Sequence, residues 1–193
     1  MVLEQKAEMI VMVTRLQENG REKVAQYWPD TIGTSHQYGH LAITLVDVNE
    51  ERDWVLRSIK LQDQSGSTIE VKHLQFTSWP DHGIPDDPAI FEGFLRKMRP
   101  LRGACTVVHC SGGVGRAGCI IVADRQMDRF ELQVRASTRT REKGQLGGAS
   151  HLPLCSVFMS ASVPAASRCA ASAVSNCVTS FILVPASSGG GQK

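Results

Sequence analysis

One segment constrains this chain more than any other. Cys105-Thr106-Val107-Val108-His109 runs directly into Cys110-Ser111-Gly112-Gly113-Val114-Gly115-Arg116-Ala117-Gly118, and an apolar stretch, Cys119-Ile120-Ile121-Val122-Ala123, follows. The β-branched run reads as a strand. The three glycines let the backbone curl tightly, and Arg116 falls at the start of a helix. A strand that ends in a tight loop and continues as a helix belongs to a layered fold of sheet and helices.

The preceding residues supply the other layers. Ile10-Val11-Met12-Val13-Thr14 is a short β-branched run suited to a buried strand. His40 to Val48 alternates, with Leu41, Ile43 and Leu45 on one face, and Trp54 to Leu61 sets Ile59 and Leu61 against Ser58 and Lys60. Within Thr68 to Phe76 the apolar phase shifts between Val71 and Leu74, which predicts a bulge. Asp87-Pro88 then offers an N-cap followed by proline at the first helical position, and Ile90, Phe91, Phe94, Leu95 and Met98 share one side of a helix. The fold class expected is α/β (α+β): a central mixed twisted sheet flanked by helices.

Charge divides the chain. All 19 acidic residues and 19 of the 21 basic ones precede residue 147, whereas the remainder carries only Arg168 and Lys193 among ten Ser, eight Ala and three Cys. We expect a folded part over residues 1–124, and an unmatched segment over 125–193 that is low-complexity and disordered from about residue 147. Phe181-Ile182-Leu183-Val184 could form a strand within it. A net charge of +2 gives no basis for nucleic-acid binding. No apolar run reaches the length of about 18 residues that a membrane span needs. Met1-Val2-Leu3-Glu4-Gln5-Lys6 lacks the pattern of a signal peptide. Six irregularly spaced cysteines without a CxxC pair read as reduced thiols, neither a disulfide framework nor a zinc site. The expected location is cytoplasmic.

The loop after the strand carries the chemistry. Successive amide N–H groups of Ser111, Gly112, Gly113, Val114 and Gly115, with the helix N-terminus behind them, can hold a dianion. The same field favours a thiolate at Cys110, and the Arg116 fork matches two phosphate oxygens. A thiolate beneath a bound phosphate is arranged for phosphoryl transfer through a cysteinyl-phosphate. Cys105 and Cys119, by contrast, read as buried thiols. Upstream, Thr77-Ser78-Trp79-Pro80-Asp81-His82-Gly83 forms a turn-rich loop. A leaving phenolate, whose acid has a pKa near 10, needs a proton donor, and Asp81 is the candidate general acid.

Trp79-Pro80-Asp81 followed by His109-Cys110 and Arg116 resembles the catalytic domain of the protein tyrosine phosphatases. The likeness runs from about Val2 to Asp124 and includes Gln26-Tyr27-Trp28-Pro29 and Tyr38-Gly39. It implies hydrolysis of phosphotyrosine in proteins without a metal or other cofactor. It casts Cys110 as nucleophile, Arg116 as phosphate clamp and Asp81 as general acid. His109 would help to hold the nucleophile, Glu18 would brace the arginine, and Lys23 would stand near the acid loop. Phosphotyrosine-containing proteins are the implied partners.

Three features depart from the family pattern. Ala117 stands where the family has Ser or Thr, a hydroxyl held to assist the cysteine as it leaves phosphate; Gly112 replaces Ala; Val24 stands where Cys is frequent. The likeness also starts within the family's domain and ends near Asp124, so the domain reads as truncated at both ends. The competing expectations are an impaired phosphotyrosine-binding pseudophosphatase and a truncated product unable to fold.

Overall fold

The computed structural model describes residues 1–80, 83–85, 87–143 and 180–181, with side chains through Thr138. Met1–Gln126 together with Asn176–Lys193 form one compact unit, and Met127–Ser175 a second. A seven-stranded sheet organises the first. In chain order its strands are β1 (Met9–Met12), β4 (Ser35–Tyr38), β5 (Leu41–Glu50), β6 (Trp54–Asp63), β7 (Thr68–Phe76), β8 (Thr106–His109) and β9 (Ser180–Phe181). Two further strands, β2 (Gln17–Glu18) and β3 (Arg21–Glu22), form a separate hairpin. Helix α1 is Pro88–Met98, continued by a 3-10 turn over Arg99–Leu101, and α2 is Arg116–Lys143.

The spatial order is β4-β5-β6-β7-β1-β8-β9. β4 to β7 pair antiparallel, while β1 lies parallel to both β7 and β8, and β8 parallel to β9. The sheet is therefore mixed, as expected. With a neighbour on each side, all four residues of β1 are buried, which accounts for its unbroken apolar run.

Register decides which residues share a face. Ile10 pairs with His73 and Val107, and Met12 with Gln75 and His109. Arg57 pairs with His73, and Ile59 with Val71. With side chains alternating across a strand, Arg57, His73, Gln75 and His109 all point to one face of the sheet. The opposite face carries Leu74 and Phe76, and there Phe94 of α1 stacks on Phe76 with ring centroids 4.4 Å apart. α1 starts as expected: the Asp87 side chain accepts from the Ala89 N–H at 2.8 Å, with Pro88 at the first helical position.

The bulge expected between Val71 and Leu74 is not there. β6 and β7 keep an unbroken register from Trp54–Phe76 to Gln62–Thr68, and the slip falls instead in β5, between Leu45 and Asp47. The change of apolar phase has another cause. From His73 to Phe76 both faces of β7 are buried, with Leu74 and Phe76 on the face where Phe76 meets Phe94 of α1, while polar His73 and Gln75 occupy the other buried face. Cys105 is buried as expected, but Cys119 is exposed, because it sits on the outward side of α2.

Of the segment from residue 147 onwards only Ser180–Phe181 are described, and they pair in parallel with Val107 and Val108. The order of the rest of that tail lies outside the described residues. In the second unit the described part of α2 exposes Phe130, Leu132 and Val134. Among the described residues no helix is long and apolar enough to cross a membrane.

Candidate active site

Asn19 and Gly20 join β2 to β3 with φ of +51° and +72°, the double left-handed turn of a two-residue hairpin. The hairpin presents Glu18, whose carboxylate receives Arg116 at both ends: Nη1 donates to Oε1 at 2.6 Å and Nη2 to Oε2 at 2.8 Å. Both side chains are largely buried, 12% and 5% exposed. Oε1 also accepts from Thr14 Oγ1 at 2.9 Å and from the Arg15 N–H at 3.2 Å. A bidentate, charge-assisted pair with extra donors on the carboxylate fixes both position and plane of the guanidinium.

Cys110 is buried just beyond the end of β8, and the Gly113 N–H donates to its Sγ at 3.2 Å. Gly113 has φ of +72°; that left-handed turn aims its amide back at the sulfur, and a side chain there would strain the backbone. Ser111 Oγ donates to the Lys23 carbonyl at 3.0 Å, tying the loop to the strand end of the hairpin. Val114 is 91% exposed, so its side chain points to solvent. The Cys119 N–H donates to the Gly115 carbonyl, closing the first turn of α2.

A polar network lies beneath the loop on the face set by the register. The Tyr27 hydroxyl is 2.7 Å from His109 Nε2 and 2.8 Å from His73 Nε2. His109 Nδ1 faces the Cys110 carbonyl at 3.4 Å. Arg57 Nη1 donates to Gln75 Oε1 at 2.9 Å, and Gln75 Nε2 donates to the Thr14 carbonyl at 3.0 Å. Trp28 roofs the network, with the Arg57 guanidinium 4.5 Å from its ring centroid and the His73 ring at 4.6 Å. The first approach is a cation–π contact in a partly desolvated site.

Burial pushes both histidines below their ordinary value, for His73 with added help from the neighbouring Arg57 charge. A hydrogen bond to the Cys110 carbonyl partly opposes the effect at His109. Burial also drives the Tyr27 phenol well above its ordinary value. Both rings are thus neutral in the fold, while unfolded histidine takes up a proton below about pH 6.5. Below that value the unfolded chain binds these protons more readily than the folded one. The contribution of these rings to stability is therefore fully present above about pH 6.5 and is lost on acidification. Denaturant melts at about pH 7.5 and about pH 5.5 check this expectation; equal unfolding free energies at the two would contradict it.

Asp81, the expected general acid, lies outside the described residues. Its flanks are held. Trp79 Nε1 donates to the Gly83 carbonyl at 3.2 Å, the Trp79 ring packs edge-on against Phe76 and Phe91, and Ser78 Oγ donates to Asp53 at 2.7 Å. Arg15 Nε donates to the Thr77 carbonyl at 2.5 Å. A cleft of about 540 Å³ opens between this run and the hairpin, lined by Arg15, Gln17, Glu18, Asn19, Ser78, Trp79 and Pro80. The Lys23 backbone stands at Ser111.

Of the residues singled out in the sequence, the structure brings His109 and Gly113 onto Cys110, Ser111 onto the Lys23 carbonyl, and Glu18 onto Arg116. Four were missed: Thr14, Arg57, His73 and Gln75. His73 and Gln75 did leave a signal, since two polar residues at alternate positions of a strand with apolar neighbours mark a polar face. Chemically the arrangement offers a buried sulfur with an N–H aimed at it, and a braced cation six positions along the chain. Among the described residues no group of three or more His, Cys, Asp or Glu side chains is placed to hold a metal ion.

Comparison with known proteins gives the same direction. The family model described as protein-tyrosine phosphatase matches residues 1–140. Over 135 residues the chain is 45% identical to the tyrosine-protein phosphatase Lar of Drosophila melanogaster, and 44% identical to the receptor-type tyrosine-protein phosphatase S of Gallus gallus. Over 138 residues it is 36% identical to the receptor-type tyrosine-protein phosphatase C of Mus musculus. These stretches cover 68%, 68% and 69% of this chain but only 7%, 9% and 11% of the relatives.

Proposed function

The chain belongs to the protein-tyrosine phosphatase family, and from that premise we propose that it hydrolyses phosphotyrosine in proteins through a cysteinyl-phosphate. The observation that carries this reading is the pairing of Cys110, with the Gly113 N–H on its Sγ, and Arg116, locked two-to-two onto Glu18. In the first step the Cys110 thiolate attacks phosphorus, the bond to the phenolic oxygen breaks, and Asp81 gives that oxygen its proton. In the second, water attacks phosphorus, returns a proton to Asp81, and the S–P bond breaks to release inorganic phosphate and the thiolate. The loop amides of Ser111 to Gly115 and the Arg116 guanidinium bear the phosphoryl charge. His109 and Glu18 support them, and Lys23 serves near the acid. All of these residues fall within 1–124. A reducing, cytoplasmic setting suits a thiolate nucleophile.

Purified protein should turn over an aryl phosphate or a phosphotyrosine peptide continuously, without added metal. No product beyond background, from a chain shown to be folded by a cooperative melt, would refute catalysis. Ala117 adds a second expectation. It is fully buried in the first turn of α2, at the position where the family carries a hydroxyl. A hydrogen bond to a charged group is worth about 1.5–3 kcal/mol, so the second step should be slowed by roughly 10- to 100-fold. Rapid-mixing kinetics should show one equivalent of phenol released in a burst before a slower steady rate. Ala117→Ser should raise that steady rate while leaving the burst rate unchanged. A linear time course from the first turnover would contradict this.

A further inference from the structure

Arg57 can only donate. Its Nη1 lies 2.9 Å from Gln75 Oε1 and 3.4 Å from His73 Nδ1, and a guanidinium has no acceptor to offer. His73 Nδ1 must then be the bare nitrogen of a neutral ring, and that ring's proton sits on Nε2. The Tyr27 oxygen, 2.8 Å away, accepts it, and directs its own single proton to His109 Nε2 at 2.7 Å. That makes His109 Nε2 an acceptor and leaves the His109 proton on Nδ1, the nitrogen that faces the Cys110 carbonyl at 3.4 Å.

The other branch is fixed by Arg57 only as far as Gln75, which must turn Oε1 to the guanidinium, so its Nε2 donates to the Thr14 carbonyl at 3.0 Å. Beyond it the Thr14 hydroxyl faces two acceptors, Glu18 Oε1 at 2.9 Å and the Arg15 carbonyl at 3.0 Å, and donates whatever Gln75 does. The route that carries direction to the site is the one that ends under the sulfur.

We propose that Arg57 is a positioning residue that sets the direction of the hydrogen bonds from His73 through Tyr27 to His109, holding His109 as its Nδ1–H tautomer beneath Cys110. Running the first route backwards would set His73 Nδ1–H against the guanidinium N–H and the bare His109 Nδ1 against a carbonyl oxygen. His73 and His109 are both buried beneath Trp28, where either clash would be costly. The ionisable groups acting on this chain are Arg57, His73, Tyr27, His109 and Cys110, with the Glu50 carboxylate acting on Arg57 and the Glu18–Arg116 pair beyond Thr14. The importance of this order for turnover rests on the phosphatase reading; the order itself does not.

Nitrogen-15 NMR of the histidine side chains in the whole chain tests it. The expected spectrum has His109 protonated at Nδ1 and bare at Nε2, and His73 the reverse, unchanged between about pH 6.5 and pH 8. Protonation of His109 at Nε2, or of both nitrogens of either ring, would overturn the proposal, and this needs no variant. Arg57→Lys, still donor-only, should keep the pattern. Arg57→Met should mix the tautomers of His73 and lower aryl-phosphate kcat/KM by roughly 10- to 100-fold, as remote misplacement does, with the lysine variant restoring most of it. A folded Arg57→Met protein with the wild-type histidine spectrum would remove Arg57 from the role. Absence of turnover with the expected spectrum would count against the phosphatase reading alone; a reversed spectrum with normal turnover would count against this inference alone.

Discussion

Cys110→Ser is expected to abolish aryl-phosphate turnover, by roughly 10⁴-fold or more, since removal of an enzyme's nucleophile leaves little of the catalysis behind. A serine hydroxyl is far less nucleophilic than a thiolate. The substitution is nearly isosteric, and serine Oγ can accept the Gly113 N–H that Sγ accepts now. The fold and the anion cradle should therefore persist. Phosphate protection of the loop against hydrogen exchange should remain in the variant while product formation stops. Retention of more than about a tenth of the activity, far above the residue that nucleophile removal leaves, would place the chemistry elsewhere in the molecule.

Arg116→Met should lower both activity and stability, and the two losses can be separated. The lost guanidinium removes the strongest donor to the developing phosphoryl charge, so kcat/KM should fall by roughly 10²–10³-fold. Glu18 would be left as a carboxylate only 5% exposed, holding just Thr14 and the Arg15 N–H. Breaking such a pair from one side costs about 3–5 kcal/mol, whereas neutralising both partners is far milder. Adding Glu18→Gln keeps an acceptor for Thr14 and Arg15 and removes the uncompensated charge. The double variant should thus regain most of the unfolding free energy but none of the activity. Equal instability of single and double variants, read from urea melts, would show that the pair is not what holds this corner.

Much of this was legible in the sequence, because the relevant signals are local. Asp87-Pro88 announces a helix start whatever lies around it, and the glycines after Cys110 announce a tight loop. The alternation in β5 and β6 reports a sheet with one better-buried face. The rest depends on partners distant in the chain. The polar phase of β7 looked like a bulge because nothing local reveals that Arg57 sits across from His73. Cys119 looked like a core thiol because apolar neighbours at Ile120 and Ile121 mask which side of α2 it occupies. Asn19-Gly20 is a strong hairpin signal that was legible but not used, and it holds the residue that orients Arg116. Tyr27 could be named only as part of a resembling segment; its link to two histidines is a property of the assembled sheet.

The placement of β1 has a consequence for how the molecule is made. β1 leaves the ribosome before either of the two strands it lies between, since its partners Lys72 to Gln75 and Thr106 to His109 follow it by about 60 to 100 residues in the chain. Such long-range parallel pairing is slow, because loop closure precedes any reward from contacts. Until β8 emerges, the apolar run Met9 to Val13 has no complete berth and is open to association with other nascent chains. Cys110, the next residue after β8, therefore acquires its surroundings in the sheet only after β1 has been enclosed on both sides, which makes this sulfur one of the later parts of the described sheet to mature.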